Sequence, residues 1–110
     1  MIFEYDELKE CVEEDVERFY KMGFNEKQIF SAVLDEYEHG ENFCKIENIC
    51  IHIFLILSYT KRDMNFGEIM EKLQQLMDTT IENQVQDELG DEYIKFVADF
   101  KIVMKNKEKF

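Results

Sequence analysis

At 110 residues, with 45% apolar and 14% aromatic side chains, the chain can bury one real hydrophobic core, which excludes an intrinsically disordered segment. Its 25 Asp and Glu against 13 Lys and Arg leave a net charge of −12, which speaks against direct nucleic-acid binding and for a basic partner. With no proline and four glycines to interrupt helices, composition predicts an all-α protein, a single compact bundle of five or six helices over residues 1–110.

In chain order, helix one is predicted from Tyr5 to Met22. Leu8, Cys11, Val12, Val16, Phe19 and Tyr20 recur at three- and four-residue steps, and Gly23 stands at the C′ position. Asn25 and Gln28 have the spacing of a capping box and open helix two, in which Ile29, Val33, Leu34 and Tyr37 continue the period until Gly40. The two form a short-loop hairpin. Asn42 is the expected cap of helix three, a central element through Ile46, Ile49, Cys50, Ile53, Phe54, Leu57 and Tyr59 that ends at Lys61 and Arg62. Periodicity alone leaves its Ile-rich middle open between strand and helix, and its length without a turn signal favours helix.

Asn65 is the expected cap of a fourth helix lined by Ile69, Met70, Leu73, Leu76 and Met77, with a break near Thr80. Ile81, Val85 and Leu89 keep four-residue steps to Gly90. Asp91 is then expected to cap a last helix carrying Tyr93, Ile94, Val97, Phe100, Ile102, Val103 and Met104. The tail from Lys105 to Phe110 is expected to fray.

Cys11, Cys44 and Cys50 contain no CxxC pair and are odd in number, so a disulfide framework is not expected and a reduced, cytoplasmic setting fits best. The N-terminus is acidic from Glu4 onward, unlike a secretion signal. The longest apolar run, Ile49 to Leu57, is broken by His52 and reaches about half of the roughly 20 residues a membrane-spanning helix needs. No membrane association is expected.

The acidic surplus is uneven. Residues 1–41 hold 13 acids against 4 bases and residues 68–92 hold 8 against 1, whereas the remaining segments are mildly basic. On helix one, Glu7, Glu10, Glu13, Glu14 and Glu17 crowd the polar side. Glu10/Glu14 and Glu13/Glu17 are like charges four residues apart, each pair costing about a few tenths of a kcal/mol. Asp35, Glu36, Glu38 and Glu41 form a second group at the end of helix two, where carboxylates oppose the helix dipole. A solvated face tuned for solubility is the plain reading of both groups; the functional reading is a docking surface for a cation-rich partner. Tyr37 lies within the second group and fits the core stripe of its helix.

Catalytic and metal-binding readings carry less. His52 sits among apolar residues as a hydrogen-bonded core histidine would, and His39, Cys44 and Cys50 match no usual zinc spacing. No metal or cofactor is expected. Glu68-x-x-Glu71 and Glu88-x-x-Asp91 resemble the ExxE and ExxD pairs of the all-α MazG-like nucleotide pyrophosphohydrolases. That resemblance implies carboxylates holding magnesium against nucleotide phosphates. Gly90, however, falls within the second pair, where a continuous helix is required. No phosphate-binding glycine loop and no Ser or Cys nucleophile beside a His is present, so the chain is read as a non-enzyme.

The run Lys21-Met-Gly-Phe-Asn-Glu-Lys-Gln-Ile, leading into Val33-Leu-Asp-Glu-Tyr-Glu and then the Ile-rich helix, resembles the small all-helical immunity proteins of bacterial polymorphic-toxin systems, of the Imm3-like type. The likeness covers roughly the first sixty residues and implies a cytoplasmic antidote that binds one cognate toxin domain, often a nuclease. The charge agrees, because a nuclease that grips phosphates presents Lys and Arg. The expected function is therefore neutralisation of a basic toxin through Glu7, Glu10, Glu13, Glu14, Glu17, Asp35, Glu36, Glu38 and Glu41. A nucleic-acid mimic that blocks a DNA-binding or defence protein is the alternative, and the MazG-like hydrolase a distant one.

Overall fold

The Ile-rich stretch is helical in the computed structural model, which describes residues 3–37 and 44–108. Six α-helices and one 3-10 turn follow in order among the described residues: α1 (Tyr5–Lys21), α2 (Glu26–Tyr37), α3 (Lys45–Lys61), α4 (Gly67–Asp78), α5 (Glu82–Leu89), the turn Gly90–Glu92 and α6 (Tyr93–Lys107). No strand occurs among them, and the protein is the all-α bundle its composition predicts.

α3 is the axis of the bundle, with α1, α4 and α6 packed on it. Every residue from Ile49 to Ile56 is buried, so the helix is apolar all round, as an element enclosed by neighbours must be. β-branched residues cost a helix about half a kcal/mol each at most, whereas full burial of an isoleucine stabilises by about 1.5–3 kcal/mol. Burial wins, which is why a strand-like composition folds as a helix.

The α1–α2 hairpin is set by local chemistry. Gly23 takes φ +88°, its N–H bonds Tyr20 O at 3.0 Å and the Phe24 N–H bonds Phe19 O at 3.1 Å, the paired bonds of a Schellman stop. The Phe19 and Phe24 rings stack across it at 5.2 Å. Asn25 and Gln28 then cap each other reciprocally at 2.9 Å, as their spacing predicts. Among the described residues this hairpin is the part most fully legible from sequence.

Several expected boundaries move. Asn42 lies outside the described residues, as does Gly40, and Cys44 caps α3 by accepting the Glu47 N–H on its sulfur at 3.2 Å. Asn65 does not occupy the N-cap of α4. Phe66 does, and Asn65 Oδ1 accepts from the Gly67 N–H at 3.0 Å one position earlier. The break at Thr80 is present, with the Thr80 hydroxyl donating to Leu76 O at 2.9 Å. Asp91 does not cap α6, because Gly90, at φ +57°, leads into a 3-10 turn that passes directly into the helix. α6 continues beyond Lys105 to Lys107 with Asn106 buried; Lys109 and Phe110 lie outside the described residues.

Five residues assigned to apolar stripes face outward instead, among them Tyr20, which is 46% exposed. Cys11 is exposed, and Ile81, Ile94 and Ile102 are 61%, 79% and 49% exposed. Their places in the stripes are taken partly by the buried acids Asp15 and Asp99. No helix among the described residues is long and apolar enough to cross a membrane.

Candidate functional site: the acidic edge of the first helix

α1 buries Tyr5, Leu8, Val12, Asp15 and Val16 against the core, and the helical period therefore turns its glutamates outward. Tertiary contacts then sort those glutamates into two sets. Toward the end of α3, Glu13 meets Lys61 Nζ at 3.4 Å, and Glu17 meets Lys21 Nζ at 3.2 Å and Arg62 at 4.0 Å. The like-charge pair Glu13/Glu17 is thus relieved inside the fold.

Glu7, Glu10 and Glu14 are exposed and form no ion pair among the described residues, leaving the Glu10/Glu14 repulsion unrelieved. From Glu7 to Glu14 the edge extends about 10 Å along the helix. Cys11 sits among these carboxylates. Partial burial and the neighbouring Glu14, Glu7, Asp15 and Glu10 push its thiol above the ordinary range, the opposite of what a reactive thiolate needs.

The second predicted group divides as well. Asp35 is exposed on α2, while Glu36 approaches Arg18 at 3.6 Å and so joins the α1–α2 contact. Tyr37 turns inward and donates to Asp15 Oδ2 at 2.9 Å, fulfilling its core reading. Glu38 and Glu41 lie outside the described residues.

Beside the unpaired glutamates runs a groove of about 220 Å3 lined by Phe3, Glu4, Glu7, Leu8, Cys11, Tyr37 and Glu47. Its floor is apolar and aromatic, and its rim carries three carboxylates. Partial burial raises the Glu47 carboxyl above the usual carboxylate range. A Lys or Arg side chain suits such a groove, with its aliphatic stem on the rings and its charge at the rim. Glu4 and Glu47 escape the sequence reading: Glu47 lies at the start of α3, and no local signal brings it to α1.

The remaining motifs do not assemble. Among the described residues no group of three or more His, Cys, Asp or Glu side chains is arranged to hold a metal ion, so Glu68, Glu71, Glu88 and Asp91 form no shared site. Within the second pair, α5 ends at Leu89 and Gly90 lies between Glu88 and Asp91. Cys50 is fully buried, and His52 contacts Asn48 O at 2.7 Å with its ring edge-on to Phe30. His39 lies outside the described residues.

No protein family, curated protein or solved structure matches this chain.

Proposed function

We propose that this protein is a non-enzymatic immunity protein that neutralises a basic toxin domain, a nuclease in the simplest case, within the cytoplasm. The observation that carries this reading is the sorting of charge on α1. Glu13, Glu17 and Glu36 are neutralised by cations of the same chain, whereas Glu7, Glu10 and Glu14 are unpaired among the described residues, beside a carboxylate-rimmed groove. A fold that retains an unrelieved like-charge edge gives up stability there, and a cationic partner would recover it. The net charge of −12 adds long-range attraction that speeds encounter with such a partner, which suits an antidote.

The test is co-expression with the toxin domain encoded by the adjacent gene. The wild type is expected to rescue growth and to bind with an affinity that falls as salt rises. The triple variant Glu7→Lys, Glu10→Lys, Glu14→Lys is expected to keep its helical spectrum and to lose protection. Unchanged protection by a folded triple variant sinks the interface, and recovery of a chromosomal DNA-binding protein in place of a toxin turns the reading to nucleic-acid mimicry.

A further inference from the structure

A second cavity, of about 720 Å3, opens between α6 and the α4–α5 corner. Its walls are Met77, Val85, Phe96, Val97, Phe100 and Met104. The rings of Tyr93, Phe96 and Phe100 lie nearly parallel along α6, with interplanar angles of 16° and 12°. The cavity exists because α5 has only eight residues and covers the aromatic stripe of α6 incompletely. Its size falls within the range of sites that enclose small ligands, and it extends about 16 Å along α6 from Tyr93 to Met104.

The polar groups at its edge have different roles. Glu82 is engaged by the Tyr93 hydroxyl at 2.8 Å, Thr80 is bonded to Leu76 O, and the exposed Glu108, close beyond Lys105 in sequence, also lines the cavity. Lys101 and Lys105, one turn apart on the rim, are exposed and form no ion pair among the described residues. In a chain with 25 acids to 13 bases, Lys101 and Lys105 outnumber the neighbouring Glu108 at this end of an apolar cavity, a local reversal of the overall charge. An amphipathic anion complements both features, whereas a neutral apolar ligand would leave the lysines unused.

We infer that this cavity binds a fatty-acid-like monocarboxylate, its chain along Val97, Phe100 and Met104 and its carboxylate at Lys101 and Lys105. The site shares no residue with the acidic edge of α1, so either assignment can fail without the other.

Dodecanoate below its micelle concentration, titrated into the full-length protein and followed by calorimetry and NMR, tests the inference. Saturable one-to-one binding is expected, with shifts centred on Met77, Val85, Phe100 and Met104. Lys101→Gln with Lys105→Gln is expected to weaken binding about fivefold without changing the thermal midpoint, and Val97→Trp to block it by filling the cavity. Should Val97→Trp fail to fold, the NMR map on the unaltered chain still locates the site. Equal binding of dodecyltrimethylammonium, indifference to the lysine changes, or sedimentation as a dimer with this cavity covered by a second copy would each overturn the inference.

Discussion

The phenol of Tyr5 donates a 2.6 Å hydrogen bond to Asp99 Oδ2, joining the first turn of α1 to the middle of α6 across 94 positions of sequence. Lys9 Nζ reaches both oxygens of the same carboxylate at 3.1 Å, and the Tyr5 ring stands edge-on to Phe54 of α3. A parallel arrangement holds the hairpin, where Asp15 accepts from Tyr37 and lies 3.3 Å from Arg18. Each buried aspartate is therefore compensated by one phenol and one cation, as a carboxylate away from water requires.

Tyr5→Phe removes a hydrogen bond to a charged acceptor while leaving Lys9 in place. The expected loss is about 1.5–3 kcal/mol in urea unfolding. Asp99→Ala should lose more, because it strands both the Tyr5 hydroxyl and the Lys9 ammonium; equal stability of wild type and Tyr5→Phe would show that the bond contributes nothing.

Alkaline pH should unfold the protein. Burial first, and then Asp99 for Tyr5, Asp15 for Tyr37 and Glu26 for Tyr59, hold these phenols above their usual range, and burial does the same to the Cys50 thiol. The folded state thus keeps protons that the unfolded chain releases above pH of about 9 for the thiol and about 10 for the phenols. Stability from these groups is intact below that window and falls as pH rises through it, by up to about 1.4 kcal/mol per pH unit for each fully buried tyrosine. Unfolding free energies at pH 7 and pH 11 that agree would contradict this.

Ser58 is fully buried, and its hydroxyl oxygen has no hydrogen-bond partner among the described residues. Ser58→Ala removes an unsatisfied polar atom from the core without opening a large cavity. A change between zero and about 1 kcal/mol in the stabilising direction is expected in thermal denaturation, and a clear loss would reveal a role for the hydroxyl.

Two backbone positions should respond oppositely. Gly90 has φ +57° and ψ −124°, and a Cβ there would touch nothing within 4 Å, so Gly90→Ala costs backbone strain alone, about 1–3 kcal/mol. Asp63, at φ +57°, ends α3 where a glycine usually stands, with the Met64 N–H bonded to Tyr59 O at 2.9 Å. Asp63→Gly is expected to stabilise by up to about 1 kcal/mol. Matching signs for the two variants would mean that backbone strain does not govern them.

The acidic edge carries a stability signature of its own. Glu10→Lys replaces the repulsion with Glu14 by an attraction, with Asp6 four residues before it in the favourable order, and should stabilise by about 0.2–0.5 kcal/mol at low salt. Glu13→Lys, facing Lys61, should do the reverse. An inverted order would place the unrelieved charge elsewhere on the helix.

The residues of the candidate site show where sequence reading ends. Glu7, Glu10, Glu13, Glu14 and Glu17 are equivalent by spacing, and helical periodicity correctly places all five off the core face of α1. Lys61 and Arg62 separate them, at the far end of a helix whose docking direction no local pattern encodes. Glu47 reaches the groove by the same packing, and the cavity on α6 exists because a short α5 leaves Phe100 and Met104 partly covered. An apolar stripe in sequence reads the same whether a neighbour closes over it or not.

By itself, the sequence determined the all-α class, the helix periods, the Gly23 stop and the Asn25–Gln28 cap, because each depends on bonds between residues only a few positions apart. Only the tertiary structure decided that Cys11 faces water while Asp15 and Asp99 face the core, and which glutamates remain without a cation. Those outcomes depend on which distant side chains arrive to compensate a charge, and the cost of burying it is met across the whole fold.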